Sequence, residues 1–130
     1  MVEAESWRLW PGVFHLTRVN NTGAAFGIFR NGSAVLSVFS ALSVLLIAAY
    51  LAGLFGARAR NAAAWALVAG GALGNLYDRL ALGYVVDYLD FRVWPVFNFA
   101  DACISIGVAW VVLQLMRKPE GGRADASGPV

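Results

Sequence analysis

At 130 residues the chain has the length of a single domain. Hydrophobic residues make up 59% of it and charged residues only 14%, against about 25% charged in soluble domains, and the mean hydropathy is +0.63; this excludes an ordinary soluble domain and points to an integral membrane protein. A net charge of +2 with no basic stripe argues against nucleic acid as a partner, and the lone Cys103 and lone His15 supply neither an internal disulfide nor a Cys- or His-built metal site.

Residues 1–32 come first. The opening MVEAESWRLWPG has neither the basic start nor the apolar run of a signal peptide. In VFHLTRV, Val13, Phe14, Leu16 and Val19 alternate imperfectly with polar residues, which predicts a short strand or hairpin at the membrane surface. The stretch NNTG, from Asn20 to Gly23, is a turn signal. Trp7, Trp10 and Phe14 suit an interfacial aromatic belt, as does Trp94 farther on.

Residues 33–56, SAVLSVFSALSVLLIAAYLAGLFG, carry no charge. At about 1.5 Å per residue they are long enough for a bilayer core about 30 Å thick. Arg58 and Arg60 mark the loop that follows. Residues 62–82 are apolar over their first two-thirds, with Gly70 and Gly74 at the spacing that lets membrane helices approach closely. Their last third holds Asn75, Asp78 and Arg79. A loop is predicted over 83–97. The last apolar segment, 98–116, has Asp101 as its only charge. Residues 118–130 read as a disordered tail.

Arg58 and Arg60 mark the first loop as cytoplasmic, and Arg117, Lys118 and Arg123 mark the tail likewise. The exterior segment 1–32 and the 83–97 loop are then outside. The prediction is an all-α polytopic membrane protein with three transmembrane helices, 33–56, 62–82 and 98–116, in one membrane-embedded domain over 1–117. An exterior start has no helix before it, so either it crosses unaided or a first helix is lacking.

Ionisable groups at membrane depth cost roughly 2.5–3.5 kcal/mol each on insertion scales, so each demands a reason. Asn21, Asn75, Asp78, Arg79, Asp87, Asn98 and Asp101 all fall at or near the exterior side. Gly71, Asn75 and Asp78 share one helix face, and Asn98, Asp101 and Ser105 share another. Two polar faces at one depth would meet. Plainer readings stand beside this one. Asp78 and Arg79 suit a helix anchor at the headgroups. Asn98 and Asp101 suit an N-cap with an acid at N3. Asp87 and Asp90 suit loop acids, and Asn21 suits a turn. If a reactive unit is present, serine, cysteine and zinc chemistry lack their partners, whereas two aspartates sharing a proton can activate water without a metal. A proton or ion relay could use the same groups.

Three blocks, NTGAAFGIF at 21–29, GGALGNLYDRLALGYVVDYLDF at 70–91 and FNFADACISIGVAW at 97–110, closely resemble the bacterial lipoprotein signal peptidases, also called signal peptidase II. The likeness covers roughly residues 11–117. It implies an aspartic endopeptidase of the cytoplasmic (inner) membrane, acting as a monomer without metal or other cofactor. Its substrate would be a diacylglyceryl-modified prolipoprotein, cut before the lipid-bearing cysteine, with the site near the exterior leaflet and the C-terminus cytoplasmic. The resemblance makes Asp87 and Asp101 the catalytic dyad. It assigns Asn21 and Gly23 to the substrate cleft, Asn75, Asp78 and Arg79 to site support, and Asn98 and Ala100 to the flanks of the second aspartate. The family fold it implies has four transmembrane helices and a small exterior β-cradle, which suits the strand expected over 13–29. The family's first helix, upstream of the region matching Pro11, has no counterpart here, so the expectation is a start codon assigned too late or a truncated chain. The alternatives are a truncated, inactive member of the family or a small ion- or proton-coupled translocation subunit.

Overall fold

The structure is a computed structural model that describes residues 5–23, 32–56 and 59–117. The tail expected to be disordered, 118–130, lies outside the described residues, as do residues 24–31. Two strands open the chain, β1 (Ser6–Trp10) and β2 (Phe14–Asn21). Between them Pro11 and Gly12 make a tight turn. Gly12 takes φ of +75° and the Val13 N–H returns to the Trp10 carbonyl at 2.9 Å, the Pro-Gly arrangement of a type II turn. Helices α1 (Gly32–Leu51) and α2 (Ala62–Leu82) follow, then β3 (Val85–Asp90) and α3 (Phe99–Met116).

The loop expected over 83–97 is the main correction. Its first half is β3, which pairs antiparallel with β2 to complete a three-stranded sheet of order β1-β2-β3. Val85 and Val86 favour the extended backbone, and the partner strand lies some sixty residues earlier in the chain, beyond the reach of local periodicity. The molecule is mostly helical with a small antiparallel sheet, as the expected β-cradle implies, but the sheet includes residues expected to be loop, and it holds one of the two aspartates of interest.

Helices α1 and α3 are long and apolar enough to cross a membrane; α2, with its polar last third, is not by that measure. It packs against both of the others, which cover two of its sides. Phe39, Leu45 and Leu46 on α1 and Leu113 and Leu115 on α3 are exposed, an apolar exterior that suits lipid rather than water. Helix α1 ends at Leu51 rather than at the expected 56. Gly53 adopts φ of +76°, and the Gly53 and Leu54 N–H groups turn back to the Tyr50 and Ala49 carbonyls at 3.0 Å each, a Schellman stop.

The glycines that matter also differ from the expected pair. A Cβ on Gly71 would strike the Ala100 carbonyl and the Ile104 side chain, and one on Gly107 would lie 2.7 Å from the Ala64 carbonyl. One on Gly70 would meet nothing within 4 Å, and one on Gly74 would make only an ordinary 3.4 Å contact with Ala100. The close α2–α3 approach therefore runs through Gly71 and Gly107. Gly71→Ala is expected to lower stability by roughly 1–3 kcal/mol, the range for overpacking. Gly70→Ala should leave it unchanged or slightly raised, because alanine is the better helix former. Thermal melts of the two variants in one detergent check this.

Candidate active site

The polar ends of α2, α3 and β3 converge. Asp87 is the third residue of β3 and is 3% exposed. Asn75 on α2 and Asn98, just before α3, are also buried. Asp101 lies in the first turn of α3 and is half-buried.

Asn98 joins the two aspartates. Its Nδ2 donates to Asp87 Oδ1 at 3.1 Å and to Asn75 Oδ1 at 2.9 Å. Its Oδ1 accepts the Asp101 N–H at 2.9 Å, while its own backbone N–H donates to Asp101 Oδ2 at 3.2 Å. The last two bonds form a capping box, with Asn at the N-cap and Asp three residues on. The local rule that starts α3 thus also fixes Asp101 in place. Asn75 Nδ2 donates to Asp101 Oδ1 at 2.8 Å, and Asn21 Nδ2, at the end of β2, donates to Asp87 Oδ2 at 3.1 Å. Each of the four carboxyl oxygens so receives one donor. A second lone pair on each remains for water or a peptide.

The other expected residues act from the margin. Asp78 Oδ2 accepts the Val86 N–H at 3.1 Å and ties the start of β3 to α2. Arg79 Nη1 donates to Ser40 Oγ on α1 at 3.3 Å, and its charge favours ionised Asp87. Gly23 donates its N–H to Asn21 Oδ1 at 2.8 Å, at φ of +74°, so Asn21 is held from behind by the turn it makes. Ala100 is not in the polar cluster. It lies at the α2–α3 crossing, its carbonyl over Gly71.

Burial raises the Asp87 carboxyl above its ordinary 3.8; the Asn21 donor opposes that, and the neighbouring Asp101 charge adds to it. Two carboxyls can supply an acid and a base at one place where they share one proton. Beside Asp101 opens a cavity of about 300 Å³ lined by Trp94, Phe97, Ala102, Ser105 and Ile106. It is mostly apolar, as a site for a greasy peptide segment or acyl chain would be.

Sequence reasoning passed over a second buried carboxylate. Asp90, expected to be a loop acid, is 4% exposed. It accepts the Thr17 hydroxyl at 2.7 Å, the Arg92 N–H at 2.9 Å and the Arg92 guanidinium at 3.0 Å. Its place in VVDYLD, three residues from Asp87, carries no periodic signal of that burial.

The family model described as Signal peptidase (SPase) II matches residues 1–117. The lipoprotein signal peptidase of Halothermothrix orenii is 45% identical over 124 residues, covering 94% of this chain and 83% of that protein. That of Moorella thermoacetica is 48% identical over 112 residues, covering 86% and 75%. Among solved structures, a bacterial membrane enzyme determined by the in meso method at 1.9 Å superposes with a TM-score of 0.77 at 28% identity, covering 92% of this chain and 79% of that one.

Proposed function

The chain belongs to the signal peptidase II family of aspartic-type peptidases, and from that premise we propose that it removes the signal peptide from lipid-modified prolipoproteins, using Asp87 and Asp101 as its catalytic pair. The observation that carries this reading is Asn98, whose side chain hydrogen-bonds Asp87 while its two backbone-linked bonds fix Asp101. The two carboxyls are presented together by groups that cannot themselves exchange protons at neutral pH.

The chemistry follows from that arrangement. The ionised carboxyl takes a proton from water as the oxygen bonds to the scissile carbonyl carbon. The protonated carboxyl gives its proton to the carbonyl oxygen, so no free oxyanion forms. As the gem-diol collapses and the C–N bond breaks, the protonated carboxyl gives its proton to the leaving amine of the lipid-bearing cysteine and the ionised carboxyl takes one from a gem-diol hydroxyl, which leaves a carboxylic acid and restores the one-proton pair. Asn21, Asn75 and Asn98 hold the carboxyls through this cycle, and Arg79 and Asp78 brace the elements behind them.

In this proposal α2 is a third membrane span, the domain covers 1–117, and the site faces the exterior leaflet of the cytoplasmic membrane with the C-terminus in the cytoplasm. The cavity beside Asp101 takes part of the substrate, and the enzyme works as a monomer. A translocation role finds less support. Helix α1 has no charged residue, α3 has only Asp101, and α2 has only Asp78 and Arg79. Among the described residues of these helices, that leaves no chain of charged relay groups across the bundle.

The test is cleavage of a lipid-modified prolipoprotein by the purified protein, with the product mass showing the cut before the modified cysteine. Equal cleavage of the unlipidated precursor would count against the reading. The kcat/KM profile is expected to be bell-shaped, because one carboxyl must be ionised and one protonated. The carboxyl shifted upward is the one that keeps the proton, so the alkaline limb, where activity falls as pH rises, should lie above 3.8. A profile with no alkaline limb would exclude a protonated carboxyl from the step.

A further inference from the structure

On the far side of the sheet from Asp87 lies a polar network that the mechanism does not use. Successive strand residues face opposite ways, so Asp87 and Asp90, three apart, point to different faces. Asp90 is joined there to both other strands. Thr17 of β2 donates to its Oδ2 at 2.7 Å, and the Thr17 hydroxyl meets the Ser6 hydroxyl of β1 at 3.0 Å. Ser6 Oγ lies 3.4 Å from His15 Nδ1, and His15 is the cross-strand partner of Asp90. Thr17, His15 and Asp90 are all buried.

This network sits at an irregularity in the pairing. On β2 the register runs from Leu16 to Val19, three steps, while on β3 it runs from Leu89 to Asp87, two steps. One extra residue is therefore accommodated on β2, a β-bulge at Thr17 and Arg18. The bulge sets the register of the rest of the strand. Beyond it Val19 pairs with Asp87, Asn20 with Val86 and Asn21 with Val85, and the Asn21 side chain reaches Asp87 Oδ2 at 3.1 Å. Without the extra residue β2 would shift by one position against β3. Because side chains alternate faces, such a slip would turn the Asn21 side chain away from Asp87.

We propose that Thr17 and Asp90 form a lock that pins this bulge, making Asp90 a positioning residue for Asp87 and Asn21. The inference rests on the reading of Asp87 as a catalytic carboxyl. The Asp90 carboxyl is held below the ordinary 3.8, chiefly by the Thr17 hydroxyl and then by the Arg92 N–H. A lowered carboxyl stabilises the fold above its unfolded value, and that contribution disappears as pH falls below 3.8. At neutral pH the lock is therefore engaged, with Asp90 ionised and accepting. Arg92 is itself half-exposed, so its ion pair with Asp90 is a minor part of the lock.

The experiment measures kcat and KM per folded enzyme, well below the melting temperature, for Thr17→Val, Thr17→Ser, Asp90→Asn and Asp87→Asn. Thr17→Val keeps the shape and removes the hydroxyl. It is expected to lower kcat about tenfold at unchanged KM, the scale of effect for a misplaced catalytic group. Thr17→Ser restores the hydroxyl and should recover kcat to within about twofold. Asp90→Asn, a second route if Thr17→Val does not fold, is expected to lower kcat about fivefold. A melting-temperature loss in Thr17→Val and Asp90→Asn with kcat per folded enzyme unchanged would show a purely structural bond and overturn the proposal. Full activity in Asp87→Asn would instead remove the catalytic reading beneath it, so the two failures are distinct.

Discussion

Asp87→Asn and Asp101→Asn are each expected to reduce prolipoprotein cleavage by at least about 10³-fold while leaving the protein folded. General acid–base groups contribute about 10²–10⁴-fold each, and the proposed chemistry needs both roles filled on every turnover. The local geometry makes asparagine a severe replacement at 87. Both Asp87 oxygens accept amide donors, from Asn21 and from Asn98. An asparagine would set its own N–H₂ against one of them, spoiling one hydrogen bond as well as the proton chemistry. At 101 the capping bond from the Asn98 N–H to Oδ2 is exposed to the same conflict. Retention of a folded, monodisperse protein with activity near wild type in either variant would remove that residue from the pair.

Asn98→Ala is the second large effect. It removes the N-cap of α3, worth about 1 kcal/mol. It also leaves Asp87 Oδ1, Asn75 Oδ1 and the Asp101 N–H without their partner at once. A drop of about 10²-fold in kcat/KM and a lower melting temperature are expected together. Asn98→Ser separates the two contributions. A serine hydroxyl can still accept the Asp101 N–H as a cap, but it cannot reach out with an amide to Asp87 and Asn75. It should recover most of the stability and little of the activity. If serine restores both, Asn98 serves only as a helix cap.

That pairing of roles explains how much was legible beforehand. The spacing of Asn98 and Asp101 predicts a cap, and the polar faces predict a site; these stood as competing readings. In the structure the same atoms do both, because an Asn side chain has an accepting end for the cap and a donating end for the neighbour. Asn21 shows the same economy, with Oδ1 closing the turn on Gly23 and Nδ2 on Asp87. Local rules thus revealed which residues are constrained without revealing that the constraints coincide.

What remained hidden depends on distance along the chain or on small rotations. The β2–β3 pairing joins Asn21 to Asp87 across 66 residues, and nothing periodic within either segment announces it. VVDYLD reads as an acidic loop until a partner strand is present. The bulge that re-aims Thr17 is a property of two strands together. The choice of Gly71 over Gly70 as the contact glycine turns on about 100° of helix rotation, which a small-residue spacing pattern does not resolve when glycines are adjacent.

The most direct test of the central claim is a double-mutant cycle under single-turnover conditions, comparing Asp87→Asn, Asp101→Asn and the double variant on one lipid-modified prolipoprotein. If the two carboxyls act as one proton-sharing unit, the double variant should be no slower than the worse single variant, within about threefold, because the first substitution already abolishes the shared function. Losses that multiply, so that the double variant is slower by the product of the two single effects, would show two independent groups and contradict the dyad.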